Sequence, residues 1–238
     1  QRRFNAAFVE RYRLNPTALR RERVASAPTR RPAQLGAMLR LAYRPPYDVA
    51  GVIRFFADRA VSGVEAVQSD ALSLRRTLAL QHQGRRAAGW LAARFLSERH
   101  EVEVALSPSL APALGAVVQR LRQGLDLDAD PAPIDAALAA LPGPAGVRVP
   151  NGIDGWEIAV RVILGQQVTV AAARTLTARL VARFGEPIAT PFADLTRLFP
   201  TAAQLARASA EDIGTLGIVR QRVGALQALA REVAAGRI

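Results

Sequence analysis

Hydrophobic positions alternate in short runs along residues 37–148 and recur at helical spacing along residues 149–238. Met38–Tyr43 alternates loosely and predicts a strand, which Pro45-Pro46 bars from continuing. Asp48 can cap a helix running to about Val61, with Val52, Phe55, Phe56 and Arg59 at near-helical spacing, and Gly63 ends it. Strand-like runs follow at Val64–Gln68, Leu72–Leu80, Ala87–Phe95 and His100–Leu106, with a turn signal at Gln83-Gly84. Pro108 to Leu125 reads as one long amphipathic helix and Asp130–Leu141 as another, stopped by Pro142-Gly143-Pro144.

The second stretch shows no convincing strand. Asp154 caps a helix through Leu164, and Thr169 caps the next, through Phe184, stopped by Gly185 and Pro187. Shorter helices are expected at Thr201–Ala208 and Ala210–Leu216, then Arg220–Ala235 up to Gly236. The fold class is therefore α+β: a small antiparallel sheet with helices, followed by a partial all-α unit. Four pieces result: an amphipathic segment 1–24, a linker 25–36 rich in Pro, Arg and Ala, the α+β domain 37–148, and the helical piece 149–238. Within the first, Phe4, Phe8, Val9 and Tyr12 form an apolar stripe, and Asn15-Pro16 starts a second short helix.

Charge and composition narrow the function. The formal net charge is +12, and every basic residue is arginine. Such a surface attracts polyanions, which ranks nucleic acid first among partners. There is no cysteine, which excludes disulfides and thiolate metal sites, and His82 and His100 lack ligand spacing. No metal and no cofactor are expected. No apolar run is long enough to span a membrane, and the leading Gln-Arg-Arg carries no signal-peptide pattern, so a cytoplasmic location is the default.

The most informative stretch is RVILGQQVTV, Arg161–Val170. An apolar helical run breaks at Gly-Gln-Gln and restarts at Thr169, so a side chain can project from the bend while both helices stay anchored. On this stretch, and on YRPPYDVAGVIRFFADRAVSGVE, VRVPNGIDGWEIAVRVILGQQVTVAAARTLTARLVARFG and TLGIVRQRVGALQALAREVAAG, the chain resembles the bacterial 3-methyladenine DNA glycosylase II family, the AlkA type of the helix-hairpin-helix glycosylases. The resemblance runs from about Met38 to Ile238. The segment QRRFNAAFVERYRLNPTALRRE resembles the end of an AraC-type helix-turn-helix domain, which fits members fused behind an Ada-like module.

The resemblance implies a monofunctional alkylbase DNA N-glycosylase, a monomer acting on double-stranded DNA that contains alkylated bases. Extruding a nucleotide costs a few kcal/mol, and something must fill the gap. By motif match the wedge is Gln167, with Gln166 beside it; both can equally be ordinary polar turn residues. Phe55 falls on the family's aromatic pocket position, where a ring face attracts a cationic alkylpurine by roughly 0.5–2 kcal/mol; the alternative is packing against the sheet. Phe55 and Phe56 are adjacent, so at most one is expected to point straight into a pocket. Thr169 is either a DNA phosphate contact through the helix N-terminus or a simple cap. Arg59, Arg148 and Arg161 are structural or phosphate-facing cations. Trp90 is expected in the core, and Trp156 in interdomain packing.

The family's Pro-Gly-x-Gly hairpin and catalytic aspartate have no counterpart after Arg220–Ala235. Asp194 and Asp212 precede the expected position and are not assigned to it. The catalytic Asp is expected beyond Ile238, which makes these 238 residues inactive on their own. The rival reading is an AraC-type transcriptional regulator of the alkylation response that binds DNA without catalysis. A third is a protein-interaction scaffold with a basic surface.

Overall fold

The computed structural model describes residues 37–238; the readings for 1–24 and 25–36 lie outside the described residues. Five strands, β1 (Ala37–Ala42), β2 (Glu65–Gln68), β3 (Ser73–His82), β4 (Arg85–Leu96) and β5 (Glu101–Leu106), form one antiparallel sheet in the order β1-β5-β4-β3-β2. Alternation is the cause. In β5, Val102, Val104 and Leu106 are fully buried between half-exposed neighbours, and in β1 Leu39 and Leu41 are buried beside exposed neighbours. The β3–β4 hairpin closes at Gln83-Gly84, both at positive φ (50° and 74°), the backbone twist that a two-residue hairpin loop needs.

Helix α1 (Val49–Arg59) starts where Asp48 accepts a hydrogen bond from the Gly51 N–H at 2.9 Å, and it buries Val49, Val52 and Ile53 on the sheet. It ends at Ala60, one turn before the glycine that the sequence suggested. Pro108–Leu125 is not one α-helix. Pro108–Ala113 is a 3₁₀ segment, and α2 (Leu114–Gly124) follows. Pro112 has no N–H to donate, so the α-helical ladder cannot start before it. The expected Asp130–Leu141 helix is α3 (Pro131–Leu138), capped by Asp130.

The helical part comprises α4 (Gly155–Gly165), α5 (Val170–Phe184), α6 (Ala202–Arg207), α7 (Ala210–Gly214) and α8 (Arg220–Ala234). Its own core gathers Val160, Leu164, Leu180, Val181, Leu205, Ile213, Val223, Leu226 and Ala230. In α8 the buried positions 223, 226 and 230 follow the helical period, so one stripe is dry and the rest is wet. Val61 and Val64, from the loop after α1, are fully buried in this second core.

That insertion ties the two units together. The Gly63 carbonyl accepts hydrogen bonds from the Thr196 and Arg197 N–H groups, each at 2.9 Å. Thr77 donates to the Arg197 carbonyl at 2.6 Å, and Arg75 and Arg86 pair with Asp194 and Glu186. Trp90 meets Phe192 edge-on at 5.1 Å. Trp90 is buried as expected, whereas Trp156 is not the interdomain contact that the sequence suggested. Trp90 is buried on the sheet but makes the contact between units, while Trp156 packs with the helical core and donates to the Pro200 carbonyl at 2.7 Å. Among the described residues no helix is long and apolar enough to cross a membrane.

Candidate nucleic-acid interface

Helix α4 is held by Val160 and Leu164, α5 by Leu180 and Val181, and the bend between them faces outward. Gln166 caps α4 with extended backbone, and Gln167 takes the left-handed region at φ 53°. Both glutamines and Thr169 are exposed, with Val168 half-buried between them. The Thr169 hydroxyl accepts a hydrogen bond from the Ala172 N–H at 3.2 Å, which satisfies one of the orphan donors of α5. Arg222, in the first turn of α8, donates to the Gln166 carbonyl and braces the bend from behind. Gln167 therefore projects from a fixed turn rather than a loose loop.

Beside this bend opens a cleft of about 310 Å³. Its walls come from α1 (Phe55, Phe56, Arg59), from α4 (Ile158, Val162, Gly165) and from Val168, Val170, Ala173 and Thr177. That volume, largely apolar with a few polar groups, suits a small flat ligand. Both phenylalanines reach it. They meet edge to face at 5.5 Å, and Phe56 also packs on the sheet core. Their adjacent positions on α1 are reconciled because the cleft lies along the flank of the helix. The Arg59 guanidinium sits over the Phe55 ring, 4.0 Å from its centroid, and donates to the Phe55 carbonyl at 3.1 Å.

The floor is a cluster of four charges. Arg76 on β3 shares the parity of the buried Leu74 and Leu78, so its guanidinium enters the interior and needs partners. It finds both carboxylate oxygens of Glu157 at 2.6 Å and Glu65 at 3.1 Å. Arg161, one turn along α4 from Glu157, donates to Glu65 at 2.8 Å and to the Arg59 carbonyl at 3.0 Å. Burial pushes Glu65 up, but the Arg161 and Arg76 guanidiniums outweigh it and hold the carboxyl below its ordinary range. Burial pushes Glu157 above its ordinary range against the pull of Arg76 and Arg161, with Glu65 and Asp154 adding to the rise. The Arg76 guanidinium is held protonated by Glu157 and Glu65, against the burial that opposes its charge.

Other arginines and acids resolve differently. Arg148 is buried and donates to the carbonyls of Gly146, Val147, Arg44 and Pro46 while stacking on Tyr47, a structural role with no phosphate-facing surface. Asp194 is bound to Arg75, and Asp212 to Arg183 and Ser209. Neither lines the cleft; its carboxylates are Glu65 and Glu157, both engaged with arginine. Sequence reasoning reached Arg161 but missed Glu65, Arg76 and Glu157. The local signals were present: Glu65 and Arg76 are cross-strand partners, and Glu157 and Arg161 stand four apart. Their meeting across more than eighty residues was not readable.

A sheet unit joined to a helical unit, with a bend at the mouth of a cleft between them, defines a class already characterised. Residues 38–154 match the AlkA N-terminal domain, and residues 160–237 match the HhH-GPD superfamily base excision DNA repair protein. The DNA-3-methyladenine glycosylase 2 of Escherichia coli is 34% identical over 203 residues, covering 84% of this chain and 69% of that protein. A probable bifunctional transcriptional activator/DNA repair enzyme AlkA of Mycobacterium tuberculosis is 35% identical over 226 residues, 92% of this chain and 43% of that protein. Among solved structures, the 3-methyladenine DNA-glycosylase from Archaeoglobus fulgidus shares the fold, with a TM-score of 0.62 at 22% identity over 82% of this chain and 66% of that one.

The chain belongs to the HhH-GPD superfamily of base excision DNA repair proteins. Within it, the paired domains place the chain with the AlkA-type DNA glycosylases.

Proposed function

We propose that this chain opens duplex DNA at a damaged base, with Gln167 as the wedge and the cleft beside it as the receptor for the extruded base. The observation that carries the reading is the exposed Gln166-Gln167 bend, with Gln167 in the left-handed region, abutting a cleft with two aromatic walls. A flat amide can fill the space left by a base and hydrogen-bond the partner left unpaired. Gln166 shapes the bend through its carbonyl, held by Arg222. Thr169 sits where a backbone phosphate would pass, and the exposed start of α5 favours an anion there.

The reaction class is hydrolysis of the N-glycosidic bond of an alkylated base, in double-stranded DNA, by a monomer. The substrate enters by analogy with the relatives, which are 3-methyladenine glycosylases. In this reading the bend and the cleft serve recognition and extrusion. Developing positive charge on the sugar calls for a carboxylate aimed at it, and both carboxylates in the cleft are already committed to arginine.

The test compares a duplex containing an abasic-site analogue, the matching undamaged duplex and the single strand. The Gln167→Ala variant is expected to lose about tenfold in affinity for the abasic duplex, roughly 1.4 kcal/mol, with single-strand binding unchanged. Equal losses on all three would remove the wedge. Failure of the unmodified chain to prefer the abasic duplex at moderate salt would remove the whole reading.

A further inference from the structure

Two arginines at the rim of the cleft are held by backbone carbonyls rather than by acids. Arg59, at the end of α1, lies over the Phe55 ring at 4.0 Å and donates to the carbonyl of the same residue at 3.1 Å. Arg174 reaches across from α5 and donates to the Asp58 carbonyl at 3.4 Å, a long bond that is readily exchanged. Phe55 and Asp58 are less than one turn apart on α1, roughly 4.5 Å along its axis, so both guanidiniums gather at the end of that helix. Both side chains are exposed, and among the described residues neither meets a carboxylate; Asp58 offers Arg174 its carbonyl and not its acid group. The acids of the cleft, Glu65 and Glu157, are held by Arg76 and Arg161. The cleft therefore has four arginines against two glutamates, a formal excess of two positive charges.

We propose that Arg59 and Arg174 form a phosphate clamp for the strand that carries the extruded nucleotide, each taking one of the two backbone phosphates that flank it. The charges match: a nucleotide turned into the cleft brings one phosphodiester to either side of the mouth, and the cleft has two cations in excess. A guanidinium binds a phosphate through two parallel N–H bonds, each roughly twice as strong as a neutral one, so a phosphate outcompetes the carbonyls that hold these arginines. Arg174 shares one face of α5 with Val170 and Thr177, and that face runs back to the Gln167 bend, so clamp and wedge meet the same stretch of DNA backbone. Drawing Arg59 onto a phosphate bares the Phe55 ring, and two docked phosphates cancel the excess positive charge. A cationic alkylated base then enters a site that is neutral overall and has an open aromatic face. The inference rests on the cleft being the base receptor, and it deepens that reading by assigning which part of the DNA backbone is held and by which side chains.

The experiment measures affinity for a duplex containing an abasic-site analogue, by fluorescence anisotropy at a series of salt concentrations. The proteins are the unmodified chain, Arg59→Gln, Arg174→Gln, Arg174→Lys and, as a control, Arg94→Gln, which changes an exposed arginine of β4 outside the cleft. Each phosphate contact removed lowers the slope of log K against log salt by about 0.9. Arg59→Gln and Arg174→Gln are each expected to flatten it by that amount, while Arg174→Lys, which keeps the charge, and Arg94→Gln leave it unchanged. A second series replaces one flanking phosphate at a time with an uncharged methylphosphonate. The unmodified chain is expected to lose about tenfold in affinity on either replacement. Arg174→Gln becomes indifferent to one of the two replacements and Arg59→Gln to the other. Full sensitivity of both variants to both replacements overturns the proposal. So does a slope that neither cleft variant changes, or that Arg94→Gln changes equally. The undamaged duplex, measured alongside, separates the two readings. If the unmodified chain prefers the abasic duplex yet is blind to both uncharged linkages, only the clamp is lost. If that preference is absent, the base-receptor reading falls and the clamp falls with it.

Discussion

At the floor of the cleft four charged side chains from two units interlock, each carboxylate held by two arginines, with Arg76 and Glu157 almost wholly buried. At its rim, a few residues along α4, Gln167 stands exposed in a backbone region that glutamine seldom occupies, its bend held by one hydrogen bond from Arg222 to Gln166. The floor is over-determined and the rim is poised. A machine that distorts DNA needs both: a base that does not yield, so that binding energy goes into the duplex, and a projecting group whose position is fixed before DNA arrives.

The largest expected effect comes from breaking the floor. Arg76→Met leaves Glu157 and Glu65 buried with Arg161 alone, and the loss of stability in urea unfolding is expected to be about 3–5 kcal/mol. The double variant Arg76→Met/Glu157→Met removes charge from both sides and retains the Arg161–Glu65 pair. It is expected to regain most of that loss, because two apolar side chains of similar volume avoid the desolvation cost. A double variant as unstable as the single one would show that the cluster stabilises the fold outright, rather than fixing how the units meet.

The second test sharpens the comparison through pH, because the carboxyls of the two glutamates are shifted in opposite directions from their ordinary range. The carboxyl of Glu65 is depressed by Arg161 and Arg76 against its burial, so its contribution is present above the unfolded value of 4.5 and is lost as pH falls through the folded value. Glu157 is raised by burial, so its contribution is present below 4.5 and is lost as pH rises through its folded value. In Glu65→Gln the acid-side decline should flatten. In Glu157→Gln the decline above pH 4.5 should flatten, and each change in slope is at most about 1.4 kcal/mol per pH unit. Urea unfolding at a series of pH values reads both; the same change in both variants would contradict the opposite shifts.

Much of this fold could be read along the chain because its signals are local. Alternation marked the strands, and Asp48, Asp154 and Thr169 each accept the N–H that their capping role predicted. The error at Pro108–Leu125 was also local: apolar spacing was weighed above the missing N–H of Pro112. What stayed hidden was contact at a distance. Trp90 is core, as its strand position predicted, but its partner Phe192, a hundred residues further on, was not readable. Glu65–Arg76 and Glu157–Arg161 look like unremarkable surface pairs until the units close and bury them together. The roles of Phe55 and Gln167 came from the resemblance. Periodicity alone would have left Phe55 on the sheet, and it gave no hint that Arg59 would cover its ring.

The smallest expected effect tests the rim against its own strain. A non-glycine residue at φ 53° costs about 1 kcal/mol or more, whereas glycine adopts that region freely. Gln167→Gly should therefore leave stability unchanged or raise it by up to about 1 kcal/mol in urea unfolding, in contrast to the losses at the floor. The same variant removes the flat amide, so binding to the abasic duplex should fall even as the fold gains. Those opposite signs separate a group held for contact with DNA from one held for the turn. If Gln167 serves only the turn, glycine relieves its strain and costs nothing in DNA binding. If stability falls with affinity, Gln167 makes packing contacts within the protein, and its exposed position at the mouth of the cleft is then no argument for a wedge.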